Sequence, residues 1–298
     1  MIDDATANAI LARLAPELAA PRRCCIPLRV DAAVAGWLDE ERAARLAGFT
    51  DVFAVNSDRM DFVPALRDER SRSEAIASVA EALADEGALT AWRDELYAVA
   101  PEFGAPPWFL LERAAARYFG VHTWAAHANG VVRGSPEPQM WFARRSPGKA
   151  IDPGMLDNLV GGGIAAGATV AATLVKEAWE EAGIPAELAA RARPVGAVQL
   201  WREQSDGLHN ETIFVHDLWV PETFVPANQD GEAVEHRRVR ITDAARLIAV
   251  AEGPDKVTAD ASLVVLDFLL RDGAIDSTSP VCDKLKALLH PQAAARRT

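Results

Sequence analysis

Apolar positions recur at helical spacing over residues 6–20 and stop at Pro21, which predicts a first amphipathic helix. A short apolar alternation around Pro27, Leu28 and Val30 follows, and then a helical stretch running to Leu46. The segment from Val52 to Val63 alternates as one or two strands would, and residues 71–84 return to a helical period that continues through 89–97. The Pro/Gly-rich stretch 100–109 is punctuation, and 111–119 reads as a further short helix.

Beyond Gly120 the pattern turns to strands. GVVRG and MWFARRS are β-rich runs joined by SPEPQ, a turn with two prolines, and Asn158, Leu159 and Val160 lead into three glycines. A helix is expected over 169–182, stopped by Gly183 and Pro185. VGAVQLW and ETIFVHDLWV are two more strands, RRVRI another, and helices follow around 244–251 and 261–270; the tail from His290 reads as frayed. The change of character places a boundary near residue 120. Residues 1–120 are expected to form a small α+β accessory domain and 121–298 a second domain.

Composition narrows the class. The chain has 298 residues, 50% hydrophobic and 25% charged, enough for one large core or two modest ones. No apolar run approaches the roughly 18–20 residues that span a bilayer. The N-terminus begins acidic, without the basic and apolar regions of a signal peptide, so a cytoplasmic location is expected. Cys24 and Cys25 are adjacent, Cys282 is distant, and no C-x-x-C spacing exists, which leaves reduced thiols rather than a zinc site or disulfide framework. The net charge of −12 disfavours nucleic acid and anionic membranes as partners, while Arg144, Arg145 and Lys149 form a basic cluster suited to a few phosphates.

Glu177, Glu180 and Glu181 carry the chemistry. At i, i+3 and i+4 on the expected helix they share one face, close to a C-terminus whose dipole already disfavours negative charge. Carboxylates so placed repel one another until a cation neutralises them, and hard oxygen donors select Mg²⁺ or Mn²⁺ over zinc. Gly161, Gly163 and Ala166 mimic a dinucleotide loop, but the alternating βαβ units of a parallel sheet are missing. Trp179, on the same helix, is read as core.

The stretch resembles the Nudix box: a glycine, five residues, Glu, seven residues, then Arg-Glu-apolar-x-Glu-Glu-x-Gly-apolar. Gly162 falls on the opening glycine, Lys176 and Glu177 on Arg-Glu, Glu180 and Glu181 on the acidic pair, and Gly183 and Ile184 on the close. Two positions depart, Ala168 standing for the first glutamate and Lys176 for the arginine. Further stretches, among them Trp92 to Tyr97, Glu112-Arg113, His127 to Gly130, Pro153 to Asn158 and Asn228 to Glu232, are similar to the thiamine pyrophosphokinase-associated Nudix subfamily, which carries an extra N-terminal domain.

The resemblance implies an α/β/α sandwich with a mixed sheet, preceded by the α+β domain. It also implies Mg²⁺-dependent (Mn²⁺ possible) hydrolysis of a small organic diphosphate, with thiamine diphosphate or its damaged analogues first among substrates. Glu177, Glu180 and Glu181 would be metal ligands, Glu232 a further catalytic carboxylate, Arg144, Arg145 and Lys149 phosphate contacts, and Gly162 and Gly163 the loop beside them. The alternatives are an ADP-ribose-type pyrophosphatase and, in another class, a non-catalytic diphosphate-binding module. A homodimer is compatible with the sequence.

Overall fold

The computed structural model describes residues 1–56, 58–133 and 137–290. Ser135 and Pro136 of the expected SPEPQ turn, and the terminal tail from Pro291, lie outside them. Helix α1 (Asp4–Glu17) starts where Asp3 accepts a hydrogen bond from the Thr6 amide at 2.8 Å. An α+β body follows: β1 (Ile26–Val30), β2 (Ala33–Leu38), α2 (Glu40–Leu46), β3 (Phe53–Val55), β4 (Met60–Phe62), α3 (Glu69–Asp85), β5 (Leu96–Val99) and β6 (Phe109–Glu112). Its main sheet runs β2-β1-β4-β3, and β5 pairs with β6 as a separate antiparallel ribbon. Leu28, Leu38, Met60, Ile76, Leu83, Phe109 and Phe119 fill its core.

Three segments differ from the sequence expectation. Residues 31–46 split into a strand and a short helix, because β2 turns back onto β1 in an antiparallel pair. Residues 89–97 are not helical: Ala91 and Asp94 adopt positive φ (64° and 56°), which no helix interior accommodates, and the chain then pairs as β5. Residues 111–119 complete β6 and make one 3₁₀ turn. The pairing partner, not the local period, decides each of these.

The second body contains β7 (His122–Val132), β8 (Gln139–Arg145), β9 (Leu156–Asn158), β10 (Val160–Gly163), α4 (Val170–Ala182), α5 (Ala186–Ala189), β11 (Arg193–Gln204), β12 (Gly207–Val220), β13 (Ala233–Arg240), α6 (Ile241–Ile248), α7 (Ala259–Arg271) and α8 (Cys282–Leu288). Its sheet runs β11-β12-β7-β8-β13, with β10 beside β7 and β9 beside β8. The β12–β7 pair is parallel and the others antiparallel, so the sheet is mixed. Strand β7 lies between two helical layers and is buried on both faces, which explains its almost unbroken run of small and apolar residues. Trp124, Ala126 and Ala128 meet α4 and α5 on one side, while Ala125 and Val131 meet α6, α7 and α8 on the other. This is an α/β/α sandwich.

Helix α1 belongs to that second layer. Ile10 and Leu14 sit among the residues of α6 and α7, and Arg13 reaches the Ile248 carbonyl at 2.7 Å, the Ser262 hydroxyl at 2.8 Å and the Val257 carbonyl. Residues 1–120 therefore divide in space, the first helix covering the C-terminal sheet and the rest forming the α+β body. Trp179, read as core, is 52% exposed: α4 turns Leu174, Ala178 and Ala182 inward, and position 179 falls on the solvent side.

Candidate active site

Strand β10 carries the three glycines past three side chains that leave no room for a Cβ. A methyl on Gly161 would lie 2.8 Å from the His127 ring, one on Gly162 would strike the Glu177 carboxyl, and one on Gly163 would strike the Tyr97 hydroxyl. Successive residues of a strand face opposite ways, so Gly161 and Gly163 open toward His127 and Tyr97 while Gly162 rests on α4. The glycine run is thus a packing requirement between box helix, sheet and N-terminal body.

The box glutamates follow from the cap geometry of α4. Thr169 accepts from the Ala172 amide at 3.1 Å at one end, and Gly183, with φ 62°, closes the other in the left-handed conformation. The last-turn carbonyls find partners in the loop after β12 and on β13: the Ala227 amide donates to Ala182 O, the Gln229 amide to Glu180 O, and His236 Nε2 on β13 lies 3.1 Å from Glu181 O. The partly buried Glu181 accepts the Gly161 amide at 2.8 Å. Desolvation, then repulsion from Glu177 and Asp157, pushes its carboxyl well above the ordinary range, and desolvation also raises Glu177. Lys176 bridges Glu177 at 3.0 Å and Glu180 at 2.8 Å, which draws Glu180 toward the exposed side.

In front of β10 lies a cavity of about 400 Å³ between the two bodies. Arg93, Tyr97, Arg113 and Arg117 reach it from the N-terminal body, and Arg145, Lys149, Asp157 and His127 from the sheet. Arg145 bonds Asp157 at 2.8 Å, and His127 Nδ1 lies 2.9 Å from Asn158 Oδ1. Lys149 pairs with Glu232, which also meets Arg93 at 3.3 Å. Burial and the neighbouring Arg145 hold the Lys149 ammonium below its ordinary value, with Glu181 opposing them. His209, Glu211 and Asp260 also line it.

The expected site residues distribute as follows. Glu177, Glu181, Gly162, Gly163, Arg145 and Lys149 converge at β10, with Glu180 one helical step outward. Glu232 stands beside Lys149, tied up in ion pairs with it and Arg93. Arg144 is a correction: one residue before Arg145 on β8, it points away from the cavity, and its guanidinium is occupied by Glu235, Asp255 and the carbonyls of Gly154 and Pro254. Tyr97, Arg113 and Asp157 were missed as site residues, although each lies within a stretch quoted for the resemblance. Glu211 and Asp260 carry no sequence signal, because only the packing of α7 on the sheet brings them together.

The donor set fits a divalent cation. Glu177 and Asp157 both raise the cost of ionising Glu181, and a bound cation would remove that cost. No metal is needed to explain the fold of α4, whose caps are complete without one. Among the described residues no helix is long and apolar enough to cross a membrane.

A helix-borne cluster of carboxylates thus lies behind a glycine strand, beside a cavity lined by both cationic and acidic groups over a mixed sheet, an arrangement suited to a metal and a phosphate. Comparison with known proteins agrees. A family model described as NUDIX domain matches residues 124–261, and one described as Domain of unknown function (DUF4743) matches residues 11–123. Nudix hydrolase 20, chloroplastic, of Arabidopsis thaliana is 37% identical over 259 residues, covering 84% of this chain and 68% of that protein. Nudix hydrolase 24, chloroplastic, of the same plant is 37% identical over 263 residues, covering 86% and 70%. Among solved structures, the MutT protein from Methanosarcina mazei Go1 aligns with a TM-score of 0.38 at 18% identity, over 51% of this chain and 95% of that one. The chain belongs to the Nudix hydrolase family, and it is an enzyme rather than a binding module. The cytoplasmic expectation is withdrawn, since both plant relatives are chloroplastic proteins by name.

Proposed function

We propose that this enzyme hydrolyses the diphosphate of a small organic molecule inside the inter-body cavity, with thiamine diphosphate or its oxidised analogues as the substrates to try first. The observation that carries the reading is convergence: Arg145, Lys149, Arg113 and Tyr97 line one cavity together with the three glycines of β10, and Glu177 and Glu181 pack directly against those glycines. The cationic groups of the lining suit phosphates, and its carboxylates suit an organic part that is cationic or rich in N–H groups. In this reading residues 121–298 are the hydrolase domain, and the α+β body within 1–120 supplies one wall of its site.

Glu177, Glu180, Glu181 and the neighbouring Asp157 would hold Mg²⁺ or Mn²⁺, which when bound neutralises phosphoryl charge and acidifies a water. The chain's own groups do the rest. Arg145 and Lys149 orient the phosphates, with Arg113 close by. Lys149 leaves Glu232 as a phosphate arrives. Glu177, lifted above the ordinary carboxyl range by desolvation, would take a proton from the attacking water.

The test is product analysis by chromatography with Mg²⁺ or Mn²⁺ and thiamine diphosphate, its oxidised analogues and ADP-ribose as separate substrates. The expected result is release of a monophosphate from the thiamine compounds, reduced at least ~100-fold in Glu181→Gln. Cleavage of ADP-ribose alone would remove the thiamine assignment and keep the site. Turnover unaffected by Glu181→Gln would remove the site.

A further inference from the structure

A buried hydroxyl of the α+β body reaches the cavity without a partner. Tyr97, on β5, is 7% exposed, and its ring packs in the core of that body. Its hydroxyl meets the cavity lining beside Gly163 and has no hydrogen bond with any described residue. The fold holds it there from both sides. The Leu96 carbonyl accepts the Ala166 amide at 2.7 Å, which pins β5 to the segment after β10. Within the ribbon Tyr97 pairs with Leu111, and the Arg113 guanidinium lies over its ring, 5.8 Å from the centroid. A Cβ on residue 163 would strike the hydroxyl and come within 2.8 Å of Cζ, so a glycine at 163 is what admits the tyrosine.

A desolvated hydroxyl is costly without a partner, and a phenylalanine would fill the same core without that cost. The groups around it are committed elsewhere. Gly163 is paired with Ala125 on β7, Glu177 meets β10 on the opposite face through Gly162, and Arg113 donates to Glu95 at 3.3 Å. Burial pushes the phenol's pKa up, with Arg113 opposing, so at neutral pH the group keeps its proton and can donate it. What it lacks is an acceptor. Arg145 and Lys149 line the same cavity, and a ligand that satisfies cations and a hydroxyl donor together is an oxyanion.

We infer that the Tyr97 hydroxyl donates a hydrogen bond to a phosphate oxygen of the substrate, so that the α+β body contributes a binding group from outside the Nudix match at 124–261. This rests on the diphosphate-hydrolase reading and gives the α+β body a part in holding the diphosphate itself. The Leu96–Ala166 bond and Gly163 are then the features that set where the hydroxyl meets the ligand.

The probe is methylenediphosphonate, whose P–C–P link is not hydrolysed, so binding is read independently of turnover. Calorimetry in the presence of Mn²⁺ compares wild type with Tyr97→Phe, which removes one oxygen and keeps the ring. Affinity should fall roughly 10- to 100-fold in the variant, the range of a hydrogen bond to a charged group. Its Tm should equal or exceed that of wild type, because the hydroxyl has no partner in the protein to lose. Equal affinities overturn the inference, as does a wild type that does not bind the probe. So does a loss of affinity matched by a fall in Tm, which would make the hydroxyl a packing group between the two bodies. Turnover of thiamine diphosphate, its oxidised analogues and ADP-ribose is scored separately. Weaker probe binding in Tyr97→Phe, with none of these hydrolysed by wild type, would keep the role of Tyr97 and remove the reading it rests on. Hydrolysis by wild type, with probe affinity untouched by Tyr97→Phe, would keep that reading and remove the role of Tyr97.

Discussion

At the scale of single residues, the site trades stability for function, and the trade can be measured at Glu181. Its carboxyl is raised above the ordinary value by desolvation and by repulsion from Glu177 and Asp157. The unfolded chain therefore loses this proton at lower pH than the folded one does. The stabilising contribution is complete below the unfolded value near 4.5 and is lost as pH rises through the folded value. Glu177 adds in the same direction. Glu211 and Asp260 are held below their ordinary values and act oppositely, so the comparison must be between variants rather than along one curve. In metal-free buffer Glu181→Gln should melt at a higher temperature than wild type at pH 8. The gap should narrow by pH 5. Saturating Mg²⁺ should reverse the order, since it binds and stabilises only the intact carboxylate set. Thermal melts at two pH values, with and without Mg²⁺, decide it, and a wild type more stable than the variant at pH 8 without metal would contradict the argument.

At the scale of elements, the box helix depends on its last turn. A Cβ on Gly183 would meet both a left-handed φ and the Ala227 carbonyl 2.7 Å away, and that carbonyl belongs to the loop that caps α4 and leads on to Glu232. Gly167 has an equally positive φ, 79°, but nothing within 4 Å of the added carbon. Gly167→Ala should therefore cost only the conformational term, ~1 kcal/mol, while Gly183→Ala should cost more, ~2–3 kcal/mol, and lower turnover as well. Equal shifts in denaturation midpoint would show that the capping loop yields freely. Helix α4 was legible in the sequence because everything that defines it is local: threonine cap, apolar period, closing glycine and glutamate spacing. Strand β12 was legible for a similar reason, being a long apolar run, whereas of β7 only its end, in GVVRG, was legible, because His122, Thr123, His127 and Asn129 interrupt the rest. Residues 31–46, 89–97 and 111–119 were misread because their strands are fixed by pairing, β2 with β1 and β5 with β6, and not by the local period, and Arg144 because position 144 or 145 faces the cavity according to a register that the sequence does not contain. Asp260 and Glu211 meet only once α7 has packed on β12.

At the scale of the whole molecule, the chain crosses between its two bodies more than once. Helix α1 covers the C-terminal sheet, the chain leaves to build the α+β body, and it returns at β7 with the cavity enclosed between the two. The hydrolase core is therefore incomplete without residues far upstream of the Nudix match at 124–261. Arg13 holds that crossing. It is 5% exposed, and its guanidinium supplies hydrogen bonds to the Ile248 and Val257 carbonyls and the Ser262 hydroxyl, groups from α6, the segment before α7, and α7 itself. Glu17, one turn along α1, approaches it at 3.7 Å and pairs with Lys256 at 2.7 Å, so the charge is compensated within the same patch. Arg13→Ala would strand two carbonyls and leave Glu17 short of a partner, at a cost of ~3–5 kcal/mol for breaking a buried charged network. For a body of this size each kcal/mol lowers Tm by ~2–4 °C, so the expected fall is on the order of 10 °C. The loss should appear in the hydrolase core, read by hydrogen exchange at α6 and α7, while α3 in the other body keeps its protection. If α3 lost protection in step with α6 and α7, the two bodies would be one cooperative unit, and the cavity between them a fixed feature of the fold rather than a joint that substrate can open.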